Sequence, residues 1–379
     1  MDLTEGNLFW KIPLFALPMA FTTILQLLYT TVDLYTVSNF GGGSNSMSAV
    51  GSNTPLINLI VTFFVSFSLG SNVVMGNAKG AKDHSRAEKI LHTSMVLGLL
   101  SGIFVGLIGY FISPYMLVWM NTPEGILKAS TDYLQIYFLG LPFLMIYNYG
   151  SQVLRALGDS KRPLYILIIS GLINVACDFL FVIVFKLDVI GVAWATVLSE
   201  VISALLILLW LFLYKKSFVH LEWKKMKIDK NALCEILKIG IPSGLQGLGF
   251  CIPNVMIQSS LYTITDYSIQ GCKINIYEIV AGSSASSTIE NYVFAFIDAF
   301  ASAVTAFVGQ NYGACKKKNI HKIFAYAIFW TFVTWGICSL VCCIFPDQVL
   351  SVFITEGEDI SHTNALLAGK ERMIMMVLT

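Results

Sequence analysis

Nine apolar runs recur along the chain, roughly at 12–40, 49–75, 89–120, 131–153, 164–185, 189–213, 236–261, 280–308 and 321–345. Each is long enough to cross about 30 Å of hydrocarbon as a helix. Composition agrees: 56% of residues are hydrophobic and 12% charged, against about 25% charged in a soluble domain. The sequence therefore predicts an all-α polytopic membrane protein. Its first apolar run is too long for a cleavable signal peptide and has no small-residue cleavage site, so it reads as the first helix.

Seventeen of the 24 Lys and Arg residues fall in loops on one side of these runs, around 79–89, 155–162, 215–230 and 316–322. The opposite loops hold only Lys128, Lys186 and Lys273. By the positive-inside rule the N-terminus is cytoplasmic and the expected location is the cell (plasma or inner) membrane. The basic loops set topology and meet anionic lipid, and a net charge of +1 gives no reason to expect a nucleic-acid partner. The eight cysteines lie mostly in apolar spans without paired metal-ligand spacing, so no redox or zinc role is assigned.

The chain also repeats itself. "VMGNAKGAKD" closes the second run and "FVGQNYGACK" the eighth, matching Gly76, Gly80 and Ala81 with Gly309, Gly313 and Ala314 at an offset of 233 residues. "LFALPMA" and "KIGIPSG" set Pro18 against Pro242 at an offset of 224. An even number of spans per copy gives two halves of like orientation, related by an axis along the membrane normal. The expected organisation is an N-lobe at 1–213 with six helices, a polar cytoplasmic linker at 214–234, and a partial C-lobe at 235–379 with about three.

Acids inside the apolar runs point to function. A mid-helix Asp costs roughly 2.5–3.5 kcal/mol on insertion scales, so such residues face the protein interior and mark ion or substrate paths. Asp33 lies in "LYTTVDLYTV", and Asn174 and Asp178 lie in "LINVACDFLFVI", four residues apart on one helical face. Counted from the outer span ends at about 1.5 Å per residue, Asp33, Asp178 and Thr196 all fall about 10–12 Å deep. Asn174 is one turn deeper. Two carboxylates, an amide and a hydroxyl suit a small cation, or share a proton because burial and like charge raise one pKa. This is the signature of a coupling-ion site for H+ or Na+. Gln26 and Asn148 are candidate cavity residues because amides avoid lipid. Tyr29, Tyr35, Phe64, Phe67, Tyr137, Tyr147 and Tyr149 offer faces for flat cations.

"LRALGDSKRPL", "INVACDFLFV", "GVAWATVLSE" and the repeated "VGQNYGA" resemble the multidrug and toxic compound extrusion (MATE) transporters, especially the prokaryotic branch. The resemblance runs from about Leu8 to Phe353. It implies a two-lobed bundle of twelve helices that exports organic cations in exchange for H+ or Na+, with no other cofactor and no enzymatic activity. It assigns the ion site to Asp33, Asn174, Asp178 and Thr196, and helix bending to Pro18, where a proline removes a helix hydrogen bond. It also marks Glu290 on the eighth run as a substrate-facing acid. The seventh run lacks the acid that some members carry. The tail 354–379 does not read as a further span, which leaves about nine helices of the expected twelve. The expected unit is a monomer in membrane lipid that takes small organic cations as substrates. The alternatives are a lipid-linked oligosaccharide flippase of related architecture and an inactive truncated remnant.

Overall fold

The computed structural model describes the backbone of residues 1–378 except 42–43, 121, 215–217, 262–266, 270–271, 275 and 354–360. A peptide group in hydrocarbon has no water to bond, so the chain satisfies its backbone within helices. Among the described residues, nine long helices form at the nine apolar runs. They are α1 (Leu8–Phe40), α3 (Thr54–Gly80), α4 (His84–Trp119), α5 (Glu124–Ala156), α6 (Lys161–Phe179), α7 (Asp188–Leu213), α8 (Lys230–Leu261), α9 (Ile276–Gly313) and α10 (Lys317–Ile344). Three shorter helices are added: α2 (Ser44–Gly51), α11 (Pro346–Ser351) and α12 (His362–Leu378). A small antiparallel hairpin pairs β1 (Tyr267–Ile269) with β2 (Cys272–Ile274) in the connection before α9.

Among the described residues, seven of the long helices are long and apolar enough to cross a membrane: α1, α3, α4, α6 with its extension to Val184, α7, α9 and α10. Helix α5 spans 33 residues and is more polar. It packs against α3, α4 and α7 and so lies inside the bundle, where its polar groups meet protein rather than lipid.

Local chemistry moves several boundaries. The run at 49–75 breaks at Ser52–Asn53, because Pro55 opens α3 as a fresh helix start. Asn53 holds the break by donating to Ala49 O at 2.9 Å and Ser130 O at 3.0 Å. Helix α8 starts at Lys230, inside the stretch expected as linker, since the Asp229 carboxylate accepts from the N–H groups of Asn231 and Ala232. These bonds, with Lys89 nearby, hold the Asp229 carboxyl below the usual carboxylate range. The linker is anchored as well: Val219 and Leu221 are buried, and the Glu222 N–H donates to His92 Nε2 at 3.1 Å. The tail, which has no long apolar run, nevertheless forms α12 against α9. There the Ser286 hydroxyl reaches Gly369 O at 2.7 Å.

The two halves meet where the sequence repeats itself. A Cβ on Gly76 of α3 would lie 3.3 Å from the Gly309 Cα of α9, and one on Gly313 would lie 2.8 Å from the Asn77 carbonyl carbon. The helices touch backbone to backbone at their basic ends. Residues 1–6 seal the same end. The buried Leu3 donates its N–H to Gln310 Oε1 at 3.2 Å and accepts from Asn311 Nδ2 at 2.9 Å. Gln310 in turn donates to Ala156 O at 2.6 Å, and Lys316 Nζ bonds Thr4 O and Glu5 Oε1.

A Cβ at Gly80 would sit 2.8 Å from the Gln310 carbonyl carbon and 2.9 Å from the Ala314 nitrogen, both fixed backbone. Gly80→Val is expected to destabilise the protein by about 1–3 kcal/mol through overpacking. Gly51→Ala, at a glycine with nothing near its Cβ direction, is the matched control. Thermal unfolding in detergent measures both, and equal midpoints for the two variants would contradict the close contact.

Candidate functional site

Three helices converge on the acids, and their spacing follows from one close approach. On α6, Gly171 has no side chain, and the Tyr29 ring of α1 occupies the space a Cβ would take. The Tyr29 hydroxyl then donates to Leu167 O at 2.7 Å, locking α1 against α6. One turn on along α1 lies Asp33; the next turns of α6 carry Asn174 and Asp178 on the same face. Asp33 comes within side-chain hydrogen-bonding reach of Asp178, Asn174 and Thr196. All four residues expected from the sequence are therefore brought together.

The group is buried, with Asp33 7%, Asn174 3% and Asp178 0% exposed. Thr196 Oγ1 lies 3.4 Å from Asp33 Oδ2 and 3.1 Å from Val192 O. Its single proton serves one of them at a time. When it bonds the carbonyl, the hydroxyl lone pairs are left to face a cation; when it turns to Asp33, it solvates the carboxylate. Asp33 Oδ1, Asn174 Oδ1 and both oxygens of Asp178 find no hydrogen-bond partner among the described residues. Two facing carboxylates have no donor between them, so a proton or a hard cation is the species that reconciles them. The unpaired oxygens fit either.

Just past Asp178, α6 widens into a π-helical segment, Leu180–Val184, in which the Phe185 N–H reaches back to Leu180 O at 3.1 Å. Such segments occur frequently at functional sites. Composition gives no signal for one here. Pro18 lies within α1 as expected and has no N–H for Leu14 O in the turn before it, while Thr22 Oγ1 donates to Pro18 O at 2.8 Å in the turn after it.

A cavity of about 470 Å³ opens beside the site, lined by α1, α3, α5, α6 and α7. Asp33, Asn174 and Thr196 are in its wall, and so are Gln26, Tyr29, Tyr137 and Tyr147. Other expected cavity residues lie elsewhere. Tyr35 is 57% exposed on the outer face of α1, stacked edge-on against Phe40, because two residues along a helix from Asp33 is the opposite side. Asn148 satisfies its amide on its own helix, donating to Leu144 O at 2.9 Å. Phe64 and Phe67 cluster with Phe63, and Tyr149 is buried in the core. Glu290 lines a separate pocket of about 170 Å³ in the second half, with Ser286, Trp335 and Met373, since its face of α9 turns toward α10 and α12.

The structure adds residues that the sequence reading passed over. Tyr133 and Asn58 line the cavity, and the Tyr133 and Tyr137 rings stack with centroids 6.5 Å apart. Glu200, one turn beyond Thr196 on α7, also lines it. The signal was present: it is an acid inside an apolar run, at helical spacing from a site residue.

A membrane bundle of repeated halves, with a cavity and clustered acids in one of them, has the architecture of a transporter. A sequence model of the MatE family matches residues 18–180 and 254–378, and the chain belongs to that family. It is 29% identical over 374 residues to the probable multidrug resistance protein YoeA of Bacillus subtilis (strain 168), covering 94% of this chain and 76% of that protein. It is also 21% identical to the multidrug export protein MepA of Staphylococcus saprophyticus, covering 93% and 75%. Among solved structures, an outward-facing multidrug resistance MATE family transporter of the MOP superfamily superposes with a TM-score of 0.86 at 23% identity, covering all of this chain and 79% of that one. A MATE transporter in the bent conformation gives 0.84 at 22%, covering 99% and 78%. The chain is a multi-pass membrane transporter, not an enzyme.

Asp178→Asn brings a donor to an oxygen pair that has none. It is expected to keep the protein as stable as the parent, or to raise stability by about 1 kcal/mol. Thermal unfolding in detergent reads this, and a marked loss would mean that Asp178 already holds a protein partner.

Proposed function

We propose that this protein exports organic cations across the cell membrane in exchange for H+ or Na+ bound at Asp33, Asn174, Asp178 and Thr196. The observation that carries this reading is the cavity wall: it includes Asp33 and Glu200 and, among the described residues, neither Lys nor Arg. A cavity of that charge suits cationic guests and disfavours the pyrophosphate of a lipid-linked oligosaccharide, which would call for a basic floor. The names of the relatives, a multidrug resistance protein and a multidrug export protein, support the same class of cargo.

The coupling follows from the shared wall. A proton or Na+ entering the acid cluster neutralises the repulsion between Asp33 and Asp178, drawing α1 toward α6 and α7. With Pro18 permitting α1 to bend, the cavity lined by the same helix changes shape and its affinity for a cation falls. By linkage, the cation weakens ion binding to the same degree. The N-terminus and the Lys-rich ends lie on the cytoplasmic side in this reading, with the protein acting as a monomer in lipid.

Ethidium efflux from efflux-deficient cells tests the proposal, with Asp178→Asn and the Asp33→Asn/Asp178→Asn double variant expressed at matched membrane levels. The parent is expected to extrude the dye and both variants to fail. Efflux that survives the loss of both acids would sink the coupling assignment.

A further inference from the structure

Glu200 is the ionisable group that the coupling site leaves unused. It projects from α7 between Thr196 and Ser203 and is 8% exposed, yet it lines the cavity. Its Oε2 finds no hydrogen-bond partner among the described residues and lies against Gly140 of α5. A carboxyl group placed in a bundle interior without a donor is costly to bury. Packing gains nothing from it that a glutamine or methionine would not supply.

Its neighbours define what it can hold. Tyr137 and Tyr133 lie within electrostatic range of it, and both rings belong to the cavity wall. Leu27, Ile57 and Val61 line the same space. One carboxylate in a wall of ring faces, aliphatic side chains and neutral hydroxyl and amide groups suits a small inorganic cation, which needs several oxygens to replace its water, less well than the paired carboxylates at Asp33 do. It is a good host for a cation whose charge is spread over an apolar body, which sheds little hydration and gains from the ring faces. A volume of about 470 Å³ lies in the range of pockets for drug-sized ligands. The oxygen-rich cluster at Asp33 has the opposite character, so the two chemistries are separated along α7 by one helical turn.

We propose that Glu200 is the substrate-recognition carboxylate of this transporter, receiving the positive group of a lipophilic organic monocation in the cavity whose wall also carries Asp33, one helical turn along α7 from Thr196 of the acid cluster. The assignment rests on the reading of the chain as a cation exporter and specifies where its cargo is held.

The test is binding rather than transport. The purified chain in detergent is dialysed to equilibrium against radiolabelled tetraphenylphosphonium, with parent, Glu200→Gln, Glu200→Asp and Glu124→Gln compared. Size-exclusion profile and thermal midpoint check that each is folded. The parent is expected to bind saturably. Glu200→Gln should weaken binding by about tenfold or more, as expected for loss of one charge-assisted contact. Glu200→Asp, which keeps the charge on a shorter arm, should fall between and carries the test if the glutamine variant does not fold. Glu124→Gln, which removes an exposed carboxylate at the start of α5 away from the cavity, should bind close to the parent. Parental affinity in Glu200→Gln, or an equal loss in Glu124→Gln, overturns the assignment while leaving the exporter reading in place. A parent that binds no tetraphenylphosphonium overturns both.

Discussion

Hydrocarbon offers no partner to an N–H or a C=O, and most of this molecule follows from that. The backbone must close its hydrogen bonds within helices, and helices surrounded by lipid gain little from burying more apolar surface against one another. What holds them is close approach and polar contact. The structure uses both where it matters. Glycines bring α3 and α9 to backbone contact at one end of the bundle. A tyrosine hydroxyl seated over a glycine fixes α1 on α6, and this second contact sets the register that carries Asp33 to Asp178.

The same constraint explains why the site is polar and unsatisfied. A side chain with a structural task can place its donors on nearby carbonyls, as the Asn53 amide does with Ala49 and Ser130. Asp33 Oδ1 and both oxygens of Asp178 are left without donors among the described residues, so their protonation or ligation state is the variable that the surrounding helices must answer to. The π-helical segment directly after Asp178 loosens one of those helices at the point where it would have to respond.

Much of this was legible in the residues. Apolar run length located all nine long helices, because the requirement for a membrane-spanning helix is set by thickness and hardly depends on neighbours. Acids within those runs, with the polar residues matched to them in depth or face, gave the four residues that the structure brings together. What could not be read was rotation. Tyr35 and Tyr29 are both aromatic residues on α1, yet one faces outward and the other the cavity, and only the packing of α1 on α6 decides which. Asn148 looked available until its amide was found bonded to its own helix. Glu200 is an acid inside an apolar run, as Asp33 is, but it lies one turn deeper than the matched set. The break at Asn53 and the helix at 362–378 depend on contacts with Ser130 and with α9, which no local pattern encodes.

The segment before α1 has a bearing on how the molecule is made. Leu3, Thr4 and Glu5 leave the ribosome some three hundred positions ahead of their partners Gln310, Asn311 and Lys316. Until α9 has been synthesised and inserted, those backbone groups have nothing in the protein to bond. Contacts of such sequence separation form late because the intervening chain must first be ordered. Closure of the basic end is thus a step of assembly that follows insertion of both halves, and a nascent chain stalled before residue 310 would carry its cluster of buried acids complete behind an unsealed door.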